Sequence, residues 1–328
     1  LEDSGWLPAT RCYECAFFFP MMRSLYILFL TLVCVNAQGP GVPVYPEGRG
    51  LKNQTVLMEQ AKKLQEAGKL MPMTTIAGQM SRVNCVLTLP PAETKVLTSR
   101  ELWQRARGAH LRVGFYYLCT KCDKWHLNLA GGYVITADGA VATCAHVISP
   151  PEKMKEGFLI AATEDDSVLP VTEILAVNPG SDSAIIRVKA EALTPLALSR
   201  DVTPGDPVWC FSDPYGKRGY YSDGIVSRFV KRPFMRKREQ SALPSGTEVT
   251  APVWLETTLD WAPGSSGSAL LDAHGNCVGH VSEIQAMMED PPQRARSKEG
   301  AATVPLGTYI VFHQGIAAAE VISLVRPK

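Results

Sequence analysis

The sequence predicts an all-β protein of two six-stranded antiparallel β-barrels, with a C-terminal helix and a short helical N-terminal extension. Three observations carry that expectation. Short apolar and β-branched segments follow one another from Leu111 to His313 and fall into two sets of about six, each bounded by turn signals. The 328 residues include 26 glycines and 24 prolines, which suits many short connections and not a helical bundle. The composition is 46% hydrophobic, enough for a substantial core at this length.

Taken in order, residues 1–21 have no initiating methionine ahead of them and read as translated upstream sequence or an overextended gene model. Met22-Arg23 then opens a basic start, and Leu25 to Val35 is an apolar run too short to cross a bilayer. Val35-Asn36-Ala37 supplies small residues for cleavage before Gln38, so residues 22–37 read as a secretory signal peptide and the mature chain as secreted or periplasmic. No later run is long enough for a membrane span.

Residues 38–101 read as a linker and helical extension, and 102–328 as the main domain. Gly39-Pro40-Gly41-Val42-Pro43 has linker composition. From Leu51 to Lys69, Val56, Leu57, Ala61, Leu64 and Ala67 recur at helical spacing, as a helix packed on the main domain or lying in a prosegment. A second short helix is expected over Glu101–Arg107 with Ser99 as its N-cap.

The first set of strands is Leu111–Leu118, Gly132–Thr136, Ala140–Ala145, Phe158–Thr163, Val168–Val177 and Ala184–Val188. The second is Pro207–Ser212, Tyr220–Val230, Val249–Leu259, Ser268–Leu271, Cys277–Ser282 and Thr308–His313. Apolar residues throughout Gly315–Val325 suggest a closing helix. With 33 Lys and Arg against 32 Asp and Glu, nothing in the net charge of +1 points to nucleic acid. The basic cluster Lys231, Arg232, Arg236, Lys237, Arg238 reads as a solvated loop, the sharper alternative being an anion-binding or self-cleavage loop.

Three segments carry chemistry. In Pro263-Gly264-Ser265-Ser266-Gly267-Ser268, glycines on both sides of Ser266 free the backbone for a tight turn with inward-pointing N–H groups, as an oxyanion requires. Ala142-Thr143-Cys144-Ala145-His146-Val147-Ile148 carries a single histidine in an apolar segment. Ser181-Asp182-Ser183-Ala184-Ile185 places an aspartate at the head of a strand. Singly, each has a plain structural reading. Together they supply base, orienting carboxylate and nucleophile in the order His, Asp, Ser.

On these motifs the chain resembles the trypsin-like serine peptidases of chymotrypsin fold, and most closely their bacterial HtrA/Deg-like branch. Thr143 to Ile148, Asp182 to Ile186, and Pro263 to Ser268 continuing through Ala269-Leu270-Leu271 match that branch's patterns over roughly Leu102 to Val325. Ser265 stands where Asn or Asp is usual, Ser268 where Gly is, and Cys144 where another small residue is. No peptide-binding PDZ module fits the C-terminal segment.

The resemblance implies a serine endopeptidase acting on protein or peptide substrates. His146, Asp182 and Ser266 would be catalytic, with Gly264 and Ser266 N–H groups forming the oxyanion hole. It implies no metal or organic cofactor and leaves a homo-oligomer open. Specificity would come from the segment before Ser266 and from His280, Val281 and Ser282, with a small or medium apolar side chain preferred. Asp260, six residues before Ser266, would instead select Arg or Lys if it lined the pocket. Two other functions compete: a catalytically silent peptide-binding relative, and an esterase, which lacks a Gly-x-Ser-x-Gly elbow here.

Removal of residues before Gln38 leaves an even number of cysteines, compatible with disulfides in an exported chain. In Cys119-Thr120-Lys121-Cys122-Asp123-Lys124-Trp125-His126 the favoured expectation is a disulfide between the two cysteines, or each paired separately elsewhere. The alternative is zinc held by Cys119, Cys122 and His126.

Overall fold

A computed structural model describes residues 43–45, 52–234, 251–288 and 308–328. The upstream segment, the signal peptide, most of the linker, and Arg236, Lys237 and Arg238 lie outside the described residues. Tyr45–Lys328 forms one compact unit; of Leu1–Val44 only Pro43 and Val44 are described.

Before the barrels come α1 (Lys52–Glu66), the single turn α2 (Met73–Ile76), β1 (Cys85–Val86) and α3 (Ser99–Ala109). Leu57 and Ala61, one helical turn apart, are fully buried against Tyr116, Phe158 and Ile160, so α1 docks on the first barrel. Its Gln60 side chain fixes the register by donating to the Asp166 carbonyl at 2.8 Å and accepting from the Val168 N–H at 3.0 Å.

Helix α3 is capped by Thr98 rather than Ser99. Thr98 Oγ1 accepts from the Glu101 N–H at 3.3 Å, and Glu101 Oε2 accepts from the Thr98 N–H at 2.7 Å, a complete capping box.

The first barrel comprises β2 (His110–Cys119), β3 (Trp125–Val134), β4 (Ala140–Thr143), β5 (Met154–Ala162), β6 (Val168–Asn178) and β7 (Ser183–Val188). It closes in the order β2-β3-β4-β7-β6-β5. The second comprises β8 (Pro207–Ser212), β9 (Tyr220–Lys231), β10 (Val253–Thr257), β11 (Ala269–Leu271), β12 (Cys277–Met288) and β13 (Thr308–Ala317), in the order β10-β13-β12-β11-β8-β9. All the pairings within the barrels are antiparallel, and closure leaves neither sheet a free edge.

Val113, Phe115, Val141, Leu159, Ile174 and Ile186 fill the first barrel; Val208, Val226, Leu255, Leu270 and Val278 fill the second. Between them lies a third apolar layer holding Tyr133, Ile135 and Ile185 of one barrel against Phe211, Leu271 and Cys277 of the other. A fully buried aliphatic side chain contributes about 1.5–3 kcal/mol, so this layer fixes the barrels' mutual position, and with it the distance between their loops.

The closing helix is shorter than the sequence predicts. Only Ala318–Ser323 is helical (α4); Gly315, Ile316 and Ala317 belong to β13, paired with Val281, His280 and Gly279. Val325–Arg326 then forms β14, parallel to β1, with Cys85 opposite Val325.

Candidate active site

β4 ends at Thr143, and the chain turns through a single 3-10 turn, Ala145–Ile148. Ala145, Val147 and Ile148 are buried, which leaves His146 as the residue turned outward, its side chain 41% exposed. Asp182 arrives from β6. There Asn178 Oδ1 accepts from the N–H groups of Gly180 (3.0 Å) and Ser181 (3.3 Å), shaping a tight turn. That turn delivers Asp182 at φ 46°, ψ 39°, the left-handed region that Asp tolerates better than most residues, with no exposed surface.

The two residues meet closely. His146 Nδ1 lies 2.9 Å from Asp182 Oδ2 and 3.0 Å from Oδ1, and the His146 backbone N–H donates to Oδ1 at 3.0 Å. From the second barrel, Ser282 Oγ donates to Asp182 Oδ2 at 2.6 Å. His280 Nε2 sits 3.2 Å from the Asp182 carbonyl, which can only accept, so that nitrogen carries the proton. Burial pushes the Asp182 carboxyl up, but the bonds from His146 and Ser282 outweigh it and hold the group below its ordinary range. Burial likewise pushes the His146 imidazole down, whereas the Asp182 bond and the charges of Asp182 and Glu283 raise it above its ordinary value.

Ser266 sits on a loop whose glycines are structurally required. Gly264 (φ 104°) and Gly267 (φ 84°) take left-handed conformations; a Cβ would fall 2.8 Å from the Asp213 carbonyl at Gly264 and 2.3 Å from the Gly131 carbonyl at Gly267. The Pro263 carbonyl accepts from the Tyr215 N–H at 2.6 Å. Because a trans peptide directs its C=O and N–H to opposite sides, that bond turns the Gly264 N–H away from Tyr215. Among the described residues neither Gly264 N–H nor Ser266 N–H has a backbone acceptor. The Ser266 carbonyl accepts from Gly131 N–H of the first barrel at 2.7 Å, stitching the loop to the His146 side. Ser266 Oγ itself donates to the Ser282 carbonyl at 3.5 Å, and among the described residues no hydrogen bond joins it to His146; nucleophile–base bonds are often open in the free protein and close when substrate binds.

A cavity of about 210 Å³ opens beside Ser266, lined by Trp261, Ala262, Pro263, Val281, Ser282, Glu283 and Ile284. Of the specificity residues expected from sequence, Val281 and Ser282 line it. His280 does not: it is fully buried, turned toward Asp182, with its Nδ1 unpartnered. Asp260 is also outside the lining, exposed to solvent, with its carbonyl accepting from Ser222 Oγ at 3.0 Å.

Two contacts are not evident in the sequence. One is the Ser282–Asp182 bond. The other is Phe234, whose ring stacks on His146 (centroids 6.4 Å apart, 17° between planes) and on Trp254. The unusual Ser265 bonds Ser212 Oγ at 3.0 Å in the interior, and the unusual Ser268 is buried with its hydroxyl unpartnered.

The expected disulfides are not formed. Cys85, Cys119, Cys122, Cys144, Cys210 and Cys277 are all free thiols. Cys144 and Cys277 face carbonyls instead, Val281 and Gly279, each at 3.1 Å, and burial pushes the Cys210 and Cys277 thiols up to about 12. Cys144 lies close enough to His146 and Asp182 to share an ion with them, but its own burial and then the Asp182 charge keep its thiol protonated. Cys119, Cys122 and His126 gather separately at the far end of the β2–β3 hairpin.

Two closed six-stranded barrels with a His-Asp pair on one and a serine loop on the other define a trypsin-like peptidase fold, and residues 130–279 match the trypsin-like peptidase domain. The chain is similar to serine proteases of the HtrA/DegP kind. It is 32% identical over 166 residues to the serine protease PepD of Mycobacterium tuberculosis, covering 48% of this chain and 34% of that protein. It is 28% identical over 159 residues to a probable periplasmic serine endoprotease DegP-like of Ectopseudomonas mendocina, covering 48% and 30%. The chain thus spans about a third of the length of the curated relatives it matches. Among solved structures, the HtrA-type protease AlgW with decapeptide aligns at a TM-score of 0.46 and 18% identity, over 69% of this chain and 66% of that one.

Proposed function

We propose that the chain is an exported serine endopeptidase that hydrolyses peptide bonds of protein or peptide substrates through an acyl-enzyme. The observation that carries this reading is the contact of both oxygens of the buried Asp182 carboxylate with His146 Nδ1, braced by Ser282 Oγ from the second barrel. Asp182 accepts from Nδ1–H and so leaves Nε2 as the free base. Ser266 Oγ attacks the scissile carbonyl as Nε2 takes its proton, and the developing imidazolium is stabilised by the adjacent carboxylate. The oxyanion is received by Gly264 and Ser266 N–H, which have no competing backbone acceptor among the described residues. Nε2 returns the proton to the leaving amine, and water releases the acyl group by the same steps in reverse order.

Export is supported by the layout of residues 22–37 and by relatives described as periplasmic. The long Ser266–Ser282 contact favours one second reading, a silent peptide-binding cleft. Labelling of the folded protein with a fluorophosphonate, together with peptide-library cleavage, separates the two. The proposal expects labelling at Ser266 and turnover that Ser266→Ala abolishes; a folded protein that binds peptides but neither labels nor cleaves would establish the second reading.

A further inference from the structure

We propose that Cys119, Cys122 and His126 form a zinc site at the closed end of the β2–β3 hairpin, remote in sequence from Ser266. Cys119 ends β2 and His126 is the second residue of β3. The loop between them is shut by two backbone bonds of 3.0 Å, Cys119 N–H to the Lys124 carbonyl and Asp123 N–H to the Cys119 carbonyl, with Asp123 at φ 49°. This closure turns the Lys121 N–H onto Cys119 Sγ at 3.4 Å. An N–H aimed at sulfur stabilises a thiolate and fixes where its remaining lone pairs point, as outer-shell donors do in metal centres.

The three ligand atoms converge. Cys122 Sγ is 3.0 Å from His126 Nε2, and the three atoms all lie within 4.8 Å of one another. Zn–S bonds of about 2.3 Å and Zn–N bonds of about 2.0 Å give tetrahedral edges of roughly 3.5–3.8 Å, so small rotations about the exposed Cys122 side chain seat the ion. Packing of the His126 ring against Tyr117, centroids 5.6 Å apart, holds the imidazole in place.

The donor set is two sulfurs and a nitrogen, with Asp123 drawn off toward Lys155 Nζ at 3.5 Å. Such a set selects zinc over calcium or magnesium. The fourth position faces solvent and takes water. Binding displaces both thiol protons and replaces the disulfide that this spacing otherwise invites.

The test uses the full chain, reduced and stripped with a chelator, then titrated with Zn²⁺ alone against a competing indicator. The expected result is one zinc per chain, and on Co²⁺ substitution a thiolate-to-cobalt charge-transfer band. Cys122→Ser and His126→Gln, both at solvent-accessible positions, should each weaken zinc by about 100-fold or more while leaving the far-ultraviolet circular dichroism unchanged. Three outcomes would overturn the proposal: no stoichiometric uptake by the reduced chain, uptake undiminished in Cys122→Ser, or a Cys119–Cys122 disulfide in protein alkylated directly from its native compartment.

Discussion

Ser282 Oγ donates to Asp182 Oδ2 across 2.6 Å, joining a residue of the second barrel to the carboxylate that holds His146 on the first. Both partners are buried, so the bond is a charge-assisted one shielded from water. Ser282→Ala should lower kcat by about 10- to 100-fold, in line with about 1.5–3 kcal/mol for a bond to a charged group. KM should move little, which steady-state kinetics on one peptide will show.

The pH dependence follows from His146. Its conjugate acid is held above the ordinary histidine value, so the base is lost as pH falls through a point above about 6.5, and kcat/KM should show an acid limb there. Glu283 contributes to that elevation through its charge. Glu283→Gln should therefore move the limb to lower pH. For stability the sign is opposite in the two partners. The raised His146 stabilises the fold below about pH 6.5 and loses this as pH rises through its folded value; the depressed Asp182 stabilises above about pH 3.9 and loses this as pH falls through its own. Melting temperatures of the wild type and Asp182→Asn across pH 3–9 test both arms.

Gly264→Ala should cut kcat by about 10²- to 10³-fold, the cost of one misplaced oxyanion donor. The new methyl would sit 2.8 Å from the Asp213 carbonyl on a backbone already at φ 104°, so the peptide must rotate and carry its N–H with it. Fluorophosphonate labelling should slow in parallel; an unimpaired rate would show that this N–H is not used.

For specificity, the cavity of about 210 Å³ is walled by Trp261, Val281 and Ile284, and the Glu283 carboxylate in its lining is already paired with Arg232 Nη2 at 2.8 Å, so it suits Ala, Val or Leu better than Arg or Lys. Matched peptides differing only before the scissile bond measure this. Asp260→Ala should leave the profile unchanged, because that carboxylate is outside the lining.

Much of this architecture is legible in the residues, and the misreadings have physical causes. His146, Asp182 and Ser266 each lie in a local context that sequence displays, and turn residues marked nearly every strand. The Thr98 cap was also readable: Thr98 lies three residues before Glu101, as a capping box demands, while Ser99 lies three before Leu102. The run Gly315–Ala317 was not, since a short apolar stretch fits strand or helix until its partners, here Gly279 to Val281, are known. Pairing of cysteines depends on distances that no count supplies. The role of Ser282 was hidden by a register shift between Val281 and Glu283 that breaks the alternation of β12.

One consequence concerns mechanical load. Cys85–Val86 and Val325–Arg326 lie side by side and parallel, backed by Leu87 and Leu324 in the apolar layer between the barrels. Tension applied toward the two ends of the chain would slide these strands along each other in shear, so their bonds must yield together and not one after another. Once α1 has been drawn off its seat on the first barrel, both barrels and the cleft between them lie inside that fastening.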